Sequence, residues 1–360
     1  MTAPVRILVA GHDWGGLNVL APLLRAWTTD PRIVPHFLAA PVVRRDFAHR
    51  VQDLVFAPAS DELTEWLCHR PTELSEFLER VLERGSYDAV VCGTSAHALL
   101  ERRLFKVARA RSIASVAMCD MWWAYSERFH DGAVWMLPDV LWVIDEAMRI
   151  SAGAVKWPEP LSIEVVGSPL FGELARRRAH SQEGDARAVR FVSEPASTKY
   201  PEANIDEFEL AEMLLTALRQ LNRTSPLVIR PHPADAVETW RRWAHVRRNQ
   251  GVEMETLPAD EAMSDTRLAL GISSIMLAEM RMCGIPTASI QPPSASQAYY
   301  CLPFEELSIA RVRDMPEIRA WLASPGQGLP PPAAAVHVSA IESATNSLLR
   351  LAERKARSWS

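Results

Sequence analysis

The sequence predicts an α/β protein of two domains, each a mostly parallel sheet covered by helices, with the two sheets facing across a cleft. Three observations carry this expectation. Short, wholly apolar runs alternate with amphipathic stretches, as buried parallel strands alternate with crossover helices. The alternation breaks once, in the polar stretch 176–187 with its three consecutive arginines, and then restarts. At 360 residues the chain also exceeds what one hydrophobic core usually organises.

Residues 5–10 read as a continuous apolar strand with one Arg, ending at Gly11, and an amphipathic helix over 17–27 follows a glycine-bearing loop. Further strands are expected at 33–39, 53–56, 89–92, 114–118, 140–144 and 163–166, with helices such as 73–84 and 99–110 between them. Beyond the break, strands at 189–192, 227–230, 252–256, 268–271 and 287–290 alternate with helices near 205–221, 236–248 and 275–283. Crossovers of such sheets are right-handed, and their ligands bind beyond the carboxyl ends of the strands. The proline-rich stretch 326–335 reads as a surface connector and 336–355 as a last helix. The expected domains are therefore 1–175 and 188–335, with the helical segment 336–360 packing back on the first.

Forty-eight per cent apolar and 23 per cent charged residues are ordinary for a globular chain. A net charge of -5 argues against a nucleic-acid partner. Five scattered cysteines, never spaced as metal pairs, fit a reducing compartment. No apolar run approaches a membrane span and the N-terminus lacks the pattern of a secretory signal, so a cytoplasmic location is expected. Four of the twelve tryptophans, Trp122, Trp123, Trp135 and Trp142, crowd one segment, either as core or as a ring-stacking acceptor pocket.

Four segments carry the residue types that chemistry needs. In Gly11-His12-Asp13-Trp14-Gly15-Gly16, between the first strand and helix, the glycines permit close backbone approach and the helix start offers free N–H groups. His12 and Asp13 are possible bases there, although a tight turn with Asp13 capping the helix explains the same residues. In the segment beginning Ile272-Ser273-Ser274, two hydroxyls and a helix start suit a diphosphate, and Glu279 can take two ribose hydroxyls. The bland alternative is a serine cap with Glu279 solvated.

In Arg230-Pro231-His232-Pro233, two prolines stiffen a strand-end loop and hold Arg230 and His232 as cations or donors for a phosphate. Residues 120–129 place Asp120 at a strand end among Trp122, Trp123 and Tyr125, as a sugar-like acceptor would require. A buried, hydrogen-bonded Asp in an aromatic core reads equally well. Ser193 and Glu194, with Lys199 as a nearby cation, form a weaker fifth candidate. Asp-x-Asp, His-Glu-x-x-His, Walker and Gly-x-Ser-x-Gly motifs are all absent, so no metal or other cofactor is expected. Charge on a leaving diphosphate would then be met by Arg230, His232, Lys199 and the Ser273 helix end.

Taken in order, these segments resemble the two-domain, Rossmann-like glycosyltransferase fold called GT-B, which nucleotide-sugar epimerases share. The His-Pro loop is similar to that of bacterial sialyl-, polysialyl- and capsule-type transferases. Val165-Val166-Gly167-Ser168-Pro169 resembles the segment closing their N-terminal domain, and 273–286 their nucleotide loop and ribose-binding helix. Residues 120–129 resemble a segment of bacterial polysaccharide-biosynthesis proteins. The resemblance implies His232, Ser273 and Ser274 on donor phosphates and Glu279 on the ribose. It also implies an acceptor domain lined by Trp14, Gly15, Gly16, Trp122, Trp123 and Tyr125.

Two departures stand out: the glycine-rich nucleotide loop is reduced to Gly271, and Ser193-Glu194-Pro195 replaces the usual Arg or Lys after the first C-terminal strand. The implied activity is metal-independent transfer from a nucleotide-sugar donor to a small-molecule or glycan acceptor, with Asp13 or Asp120 as base. Alternatives are a nucleotide-sugar 2-epimerase, a CDP-alditol phosphotransferase and a non-catalytic nucleotide-binding protein of the same fold.

Overall fold

Apolar strand sequences with no polar face can only be satisfied by burial on both sides, and the chain achieves this twice. The computed structural model describes all residues except 1–2, 52, 97–98, 133, 181–186, 258, 327–334 and 358–360. Most of the expected connector 326–335 and half of the break at 176–187 lie outside the described residues. Two compact units result: Met1–Glu173 with Ala335–Ser360, and Leu174–Ala334.

The first unit holds β1 (Val5–Gly11), β2 (Ile33–Ala39), β3 (Ala89–Cys92), β4 (Ala114–Met118), β5 (Val140–Val143) and β6 (Ser162–Val165). They pair in the order β2-β1-β3-β4-β5-β6, all parallel. Every residue of β3, β4 and β5 is buried, which is why these strands show no alternation of polar and apolar residues. Because β1 lies between β2 and β3, successive crossovers leave it in opposite directions. The loops after β1 and β3 therefore border a topological switch point, where open α/β sheets place their ligands.

The second unit holds β7 (Ala188–Val192), β8 (Leu227–Arg230), β9 (Val252–Met254), β10 (Thr266–Gly271), β11 (Thr287–Ile290) and β12 (Ala310–Val312). Its order, β12-β11-β10-β7-β8-β9, is again parallel throughout. Here the switch point lies between β7 and β10. On one face the helix Val237–Arg247 packs through Trp240, fully buried and stacked on Phe208 at 4.2 Å.

Several elements differ from the sequence expectation. Residues 53–56 form no strand: Asp53 turns the chain at φ 60°, and only Phe56 bridges to Phe37 before the chain leaves for the turn Ser60–Glu62. One bridging residue cannot propagate a ladder. The helix Pro169–His180 runs through the arginines where a break was expected, and β12 carries no signal that marked it as a strand. The last helix is broken at Ser339 into Ala335–Val338 and Ala340–Arg357.

Ala340, Ala344, Leu348 and Leu351 form the buried stripe of that final helix. The indoles of Trp27 and Trp142 donate to Thr345 Oγ1 and Ser347 Oγ, each at 2.9 Å. Two buried N–H groups are thus satisfied by a helix that arrives some 200 residues after the strand bearing Trp142.

Candidate functional site

Two clusters of polar groups form, one at the carboxyl edge of each sheet. In the first unit β1 delivers the turn 11–16 to the switch point. Asp13 caps the helix Trp14–Trp27, its Oδ1 accepting from Gly16 N at 3.1 Å. Gly16 lies directly against Gly93, after β3: a Cβ on Gly93 would stand 2.5 Å from Gly16 C. A side chain at Gly93 would clash with the Gly16 backbone and one at Gly16 would crowd Gly93 and Thr94, so the two loops meet backbone to backbone.

From the next strand, β4, comes Asp120. Arg128, 4 per cent exposed in its side chain, donates to Asp120 Oδ1 at 2.9 Å, to Thr94 Oγ1 at 2.7 Å and to the Thr94 carbonyl at 2.9 Å. One carboxylate oxygen of Asp120 is therefore clamped. The other, Oδ2, faces Gly15, where a Cβ would stand 2.8 Å from it and 3.7 Å from Asp13 Oδ1. Gly15 itself is exposed, so this pair of carboxylates borders solvent. Burial raises the pKa of Asp120 above the ordinary carboxylate range, with Arg128 opposing and Asp13 adding to the rise.

Glu101 completes the cluster. It is 2 per cent exposed on the helix Leu99–Ala110, and its Oε1 accepts from His12 N at 2.7 Å. Burial, with Asp13 adding, pushes its carboxyl up to about 8, so it is mainly the neutral acid at pH 7. His12 is lowered by burial and is held neutral beside it. The two carboxyl groups thus differ in environment: Asp120 is hydrogen-bonded to the Arg128 guanidinium, whereas on Glu101 burial outweighs the weaker pull of Arg102.

The aromatic residues divide. Trp122 is 9 per cent exposed, stacks on Phe171 and donates its indole N–H to Asp145 at 2.8 Å; Tyr125 is 7 per cent exposed. Both serve the core. The Trp14 ring has the Arg50 guanidinium 4.5 Å from its centroid and Phe47 at 6.3 Å. Trp123, 40 per cent exposed, is the ring of the 120–129 segment that meets solvent.

In the second unit, adjacent strands β10, β7 and β8 bring the other candidates to one sheet edge. Ser274 caps the helix Ile275–Met282, accepting from Met276 N at 3.3 Å. The preceding N–H, on Ser273, donates to Glu194 Oε2 at 2.5 Å, so an internal carboxylate occupies the start of the helix where a diphosphate was expected. Ser273 Oγ is engaged as well, accepting from Cys301 N at 3.1 Å. Burial pushes Glu194 up to about 7, with Asp235 adding and the N–H groups of Ser273 and Ser274 opposing.

Of the two residues expected as cations or donors, His232 has the environment of a donor. Its Nδ1 accepts from Ala234 N at 3.0 Å, which a protonated nitrogen cannot do, and burial lowers its pKa. The ring is therefore neutral, leaving Nε2–H as a donor. Arg230 keeps its charge but faces Glu255 at 3.6 Å, a carboxylate shared with the buried Arg190 at 2.5 Å. Glu279 lies close enough to Arg230 to act on its charge, as Lys199 does on His232.

Sequence reasoning missed Glu101, Arg128, Thr94 and Gly93 in the first unit, and Asp235, Tyr299 and Tyr300 beside Glu194 in the second. Glu101 was findable: it stands three and four residues before Leu104 and Phe105, on the apolar stripe of its helix. Among the described residues no group of three His, Cys, Asp or Glu side chains is placed to hold a metal, and no helix is long and apolar enough to cross a membrane.

With two six-stranded parallel sheets, the chain is a two-unit Rossmann-like α/β protein of the GT-B type. A Methanocaldococcus jannaschii UDP-GlcNAc 2-epimerase in complex with UDP-GlcNAc and UDP is similar in fold, with a TM-score of 0.67 at 12 per cent identity over 96 per cent of this chain and 100 per cent of that one. The S. aureus MnaA structure with UDP scores 0.65 at 14 per cent identity, covering 96 and 97 per cent. A Neisseria meningitidis UDP-GlcNAc 2-epimerase bound to UDP-GlcNAc scores 0.65 at 11 per cent, covering 96 and 100 per cent. No family model and no curated protein matches the sequence.

Proposed function

We propose that this chain is an enzyme that binds a UDP-sugar and acts on the bond between the anomeric carbon and the diphosphate, as a nucleotide-sugar 2-epimerase. The observation that carries the reading is Asp120, with one oxygen held by Arg128 and the other beside the exposed Gly15 at a switch point. Inverting a centre next to the anomeric carbon requires a base to take the C2 proton while the nucleotide departs. A carboxylate raised towards neutrality and fixed in direction suits that task. The like-charged Asp13 and the neutral Glu101 provide the second proton-transfer groups nearby. In the second unit, Arg230, Lys199 and the His232 Nε2–H are the groups suited to the phosphates, and Glu279 to the ribose.

Transfer to an acceptor is the second reading, and the exposed Trp123 ring in the Asp120 segment favours it. Incubation with UDP-GlcNAc alone in deuterated water, followed by NMR, separates the two. The epimerase reading expects a 2-epimer or free UDP without acceptor, deuterium at C2, and loss of both in Asp120→Asn with UDP binding kept. Glu279→Ala should instead weaken binding. Product that forms only when an acceptor is added supports transfer, and absence of any UDP or UDP-sugar binding defeats both.

A further inference from the structure

Glu194 presents an arrangement that the proposed reaction does not explain. It follows β7 directly, and its carboxylate accepts the N–H of Ser273 at the head of the helix Ile275–Met282, across the switch point between β7 and β10. A nucleotide diphosphate bound there would meet a carboxylate already on its N–H donor. We propose that Glu194 stands in for a donor phosphate at this helix start, so that binding a nucleotide diphosphate is coupled to uptake of one proton from solvent by the Glu194 carboxylate. The proposal rests on the nucleotide reading of the second unit and assigns its regulation.

The charges around Glu194 support it. Asp235, from the loop after β8, adds a negative charge. The helix start supplies the backbone N–H groups of Ser273 and Ser274, and the segment after β11 supplies the phenols of Tyr299 and Tyr300. None of these is a cation. Arg230 is engaged with Glu255 and His232 is neutral, while Lys199 lies near His232. A diphosphate brings two more negative charges. Protonating Glu194 removes one charge and leaves its oxygen free to share or release the Ser273 N–H. A carboxyl already pushed up to about 7 is poised to do so.

The sign of the effect follows. Below about 7 Glu194 is already protonated and binding needs no proton; above it, each pH unit adds a tenfold penalty. UDP-GlcNAc is the probe, since its diphosphate has no group titrating near neutrality. Calorimetry from about pH 6 to about pH 8.5, in two buffers of different ionisation enthalpy, reads affinity and protons together. The wild-type chain should lose affinity roughly tenfold per pH unit above about 7 and take up about one proton per ligand at the high end. Glu194→Gln keeps an oxygen for the Ser273 N–H but cannot ionise. It should bind without pH dependence, at the affinity the wild type reaches near pH 6. Wild-type binding with no proton uptake, or uptake that persists in Glu194→Gln and so belongs to His232, overturns the proposal while leaving the nucleotide reading in place. Failure of both proteins to bind at any pH removes the nucleotide reading, and the proposal with it.

Discussion

Gly15 and Asp120 follow β1 and β4, two strands separated by β3, and are spaced so that a single methyl group at Gly15 would stand 2.8 Å from Asp120 Oδ2. The glycine keeps that oxygen open at the surface of the sheet edge, while Arg128 fixes its partner oxygen.

Gly15→Ala is therefore expected to crowd and cover Asp120 Oδ2 without unfolding the unit, since Gly15 is exposed and the atom it meets is the tip of a side chain. A displacement of this size at a reacting group costs about a hundredfold in rate. Steady-state kinetics on UDP-GlcNAc should find kcat lowered with UDP affinity retained; an unchanged kcat would remove Asp120 Oδ2 from the chemistry.

Arg128 is buried with Asp120 as its charge partner. Arg128→Met leaves a buried carboxylate uncompensated and should cost about 3–5 kcal/mol of stability. The double variant with Asp120→Asn should recover part of that loss, because the orphaned charge is gone. Urea denaturation of both singles and the double gives the coupling, and strictly additive losses would show that the pair does not interact.

Glu101 stays protonated up to about 8 when folded, against 4.5 for an ordinary carboxyl. Between those values the unfolded chain releases a proton that the folded chain retains. Stability should thus fall as pH rises through the window and level off above about 8. Glu101→Gln removes the dependence, flattening the curve by up to about 1.4 kcal/mol per pH unit. Parallel stability curves for the two proteins over this range would contradict the assignment.

His337, 5 per cent exposed, ties the C-terminal segment down: its Nδ1 accepts from Ser168 N at 3.1 Å and its ring packs edge-on to Phe171. Burial lowers it to about 4 from 6.5. As pH falls through that interval the unfolded chain gains a proton that the folded chain cannot accept, so stability is lost. Protection against hydrogen exchange, taken relative to the intrinsic rate at each pH, should fall over residues 335–357 on acidification in the wild type and much less in His337→Gln. Equal acid sensitivity in both would exclude His337 as the cause.

Much of this architecture was legible because burial leaves a simple mark. Strands such as Ala89–Cys92 and Ala114–Met118, covered on both faces, carry only residues that water would penalise. Their alternation with helices implied parallel sheets and the strand-end positions of Asp120, Arg230 and Ser273, while the GT-B type of fold was implied by the resemblance of those segments to that family. Residues 53–56 misled because an apolar run says nothing about whether neighbouring backbone is in reach, and Asp53 turns the chain away after one bridge.

What the amino-acid order alone determined was where strands end and which polar groups wait there, since periodicity and turn chemistry are local properties of the chain. Tertiary structure alone decided the electrical state of those groups. Asp120 has Arg128 hydrogen-bonded to it while Glu101 is governed by burial, Ser273 meets Glu194 rather than open solvent, and the His232 ring is neutral. Each depends on burial and on partners from other segments, 79 positions apart for Ser273 and Glu194. The energy of a charge is set by the dielectric and the charges around it, which the sequence does not specify until the chain has folded.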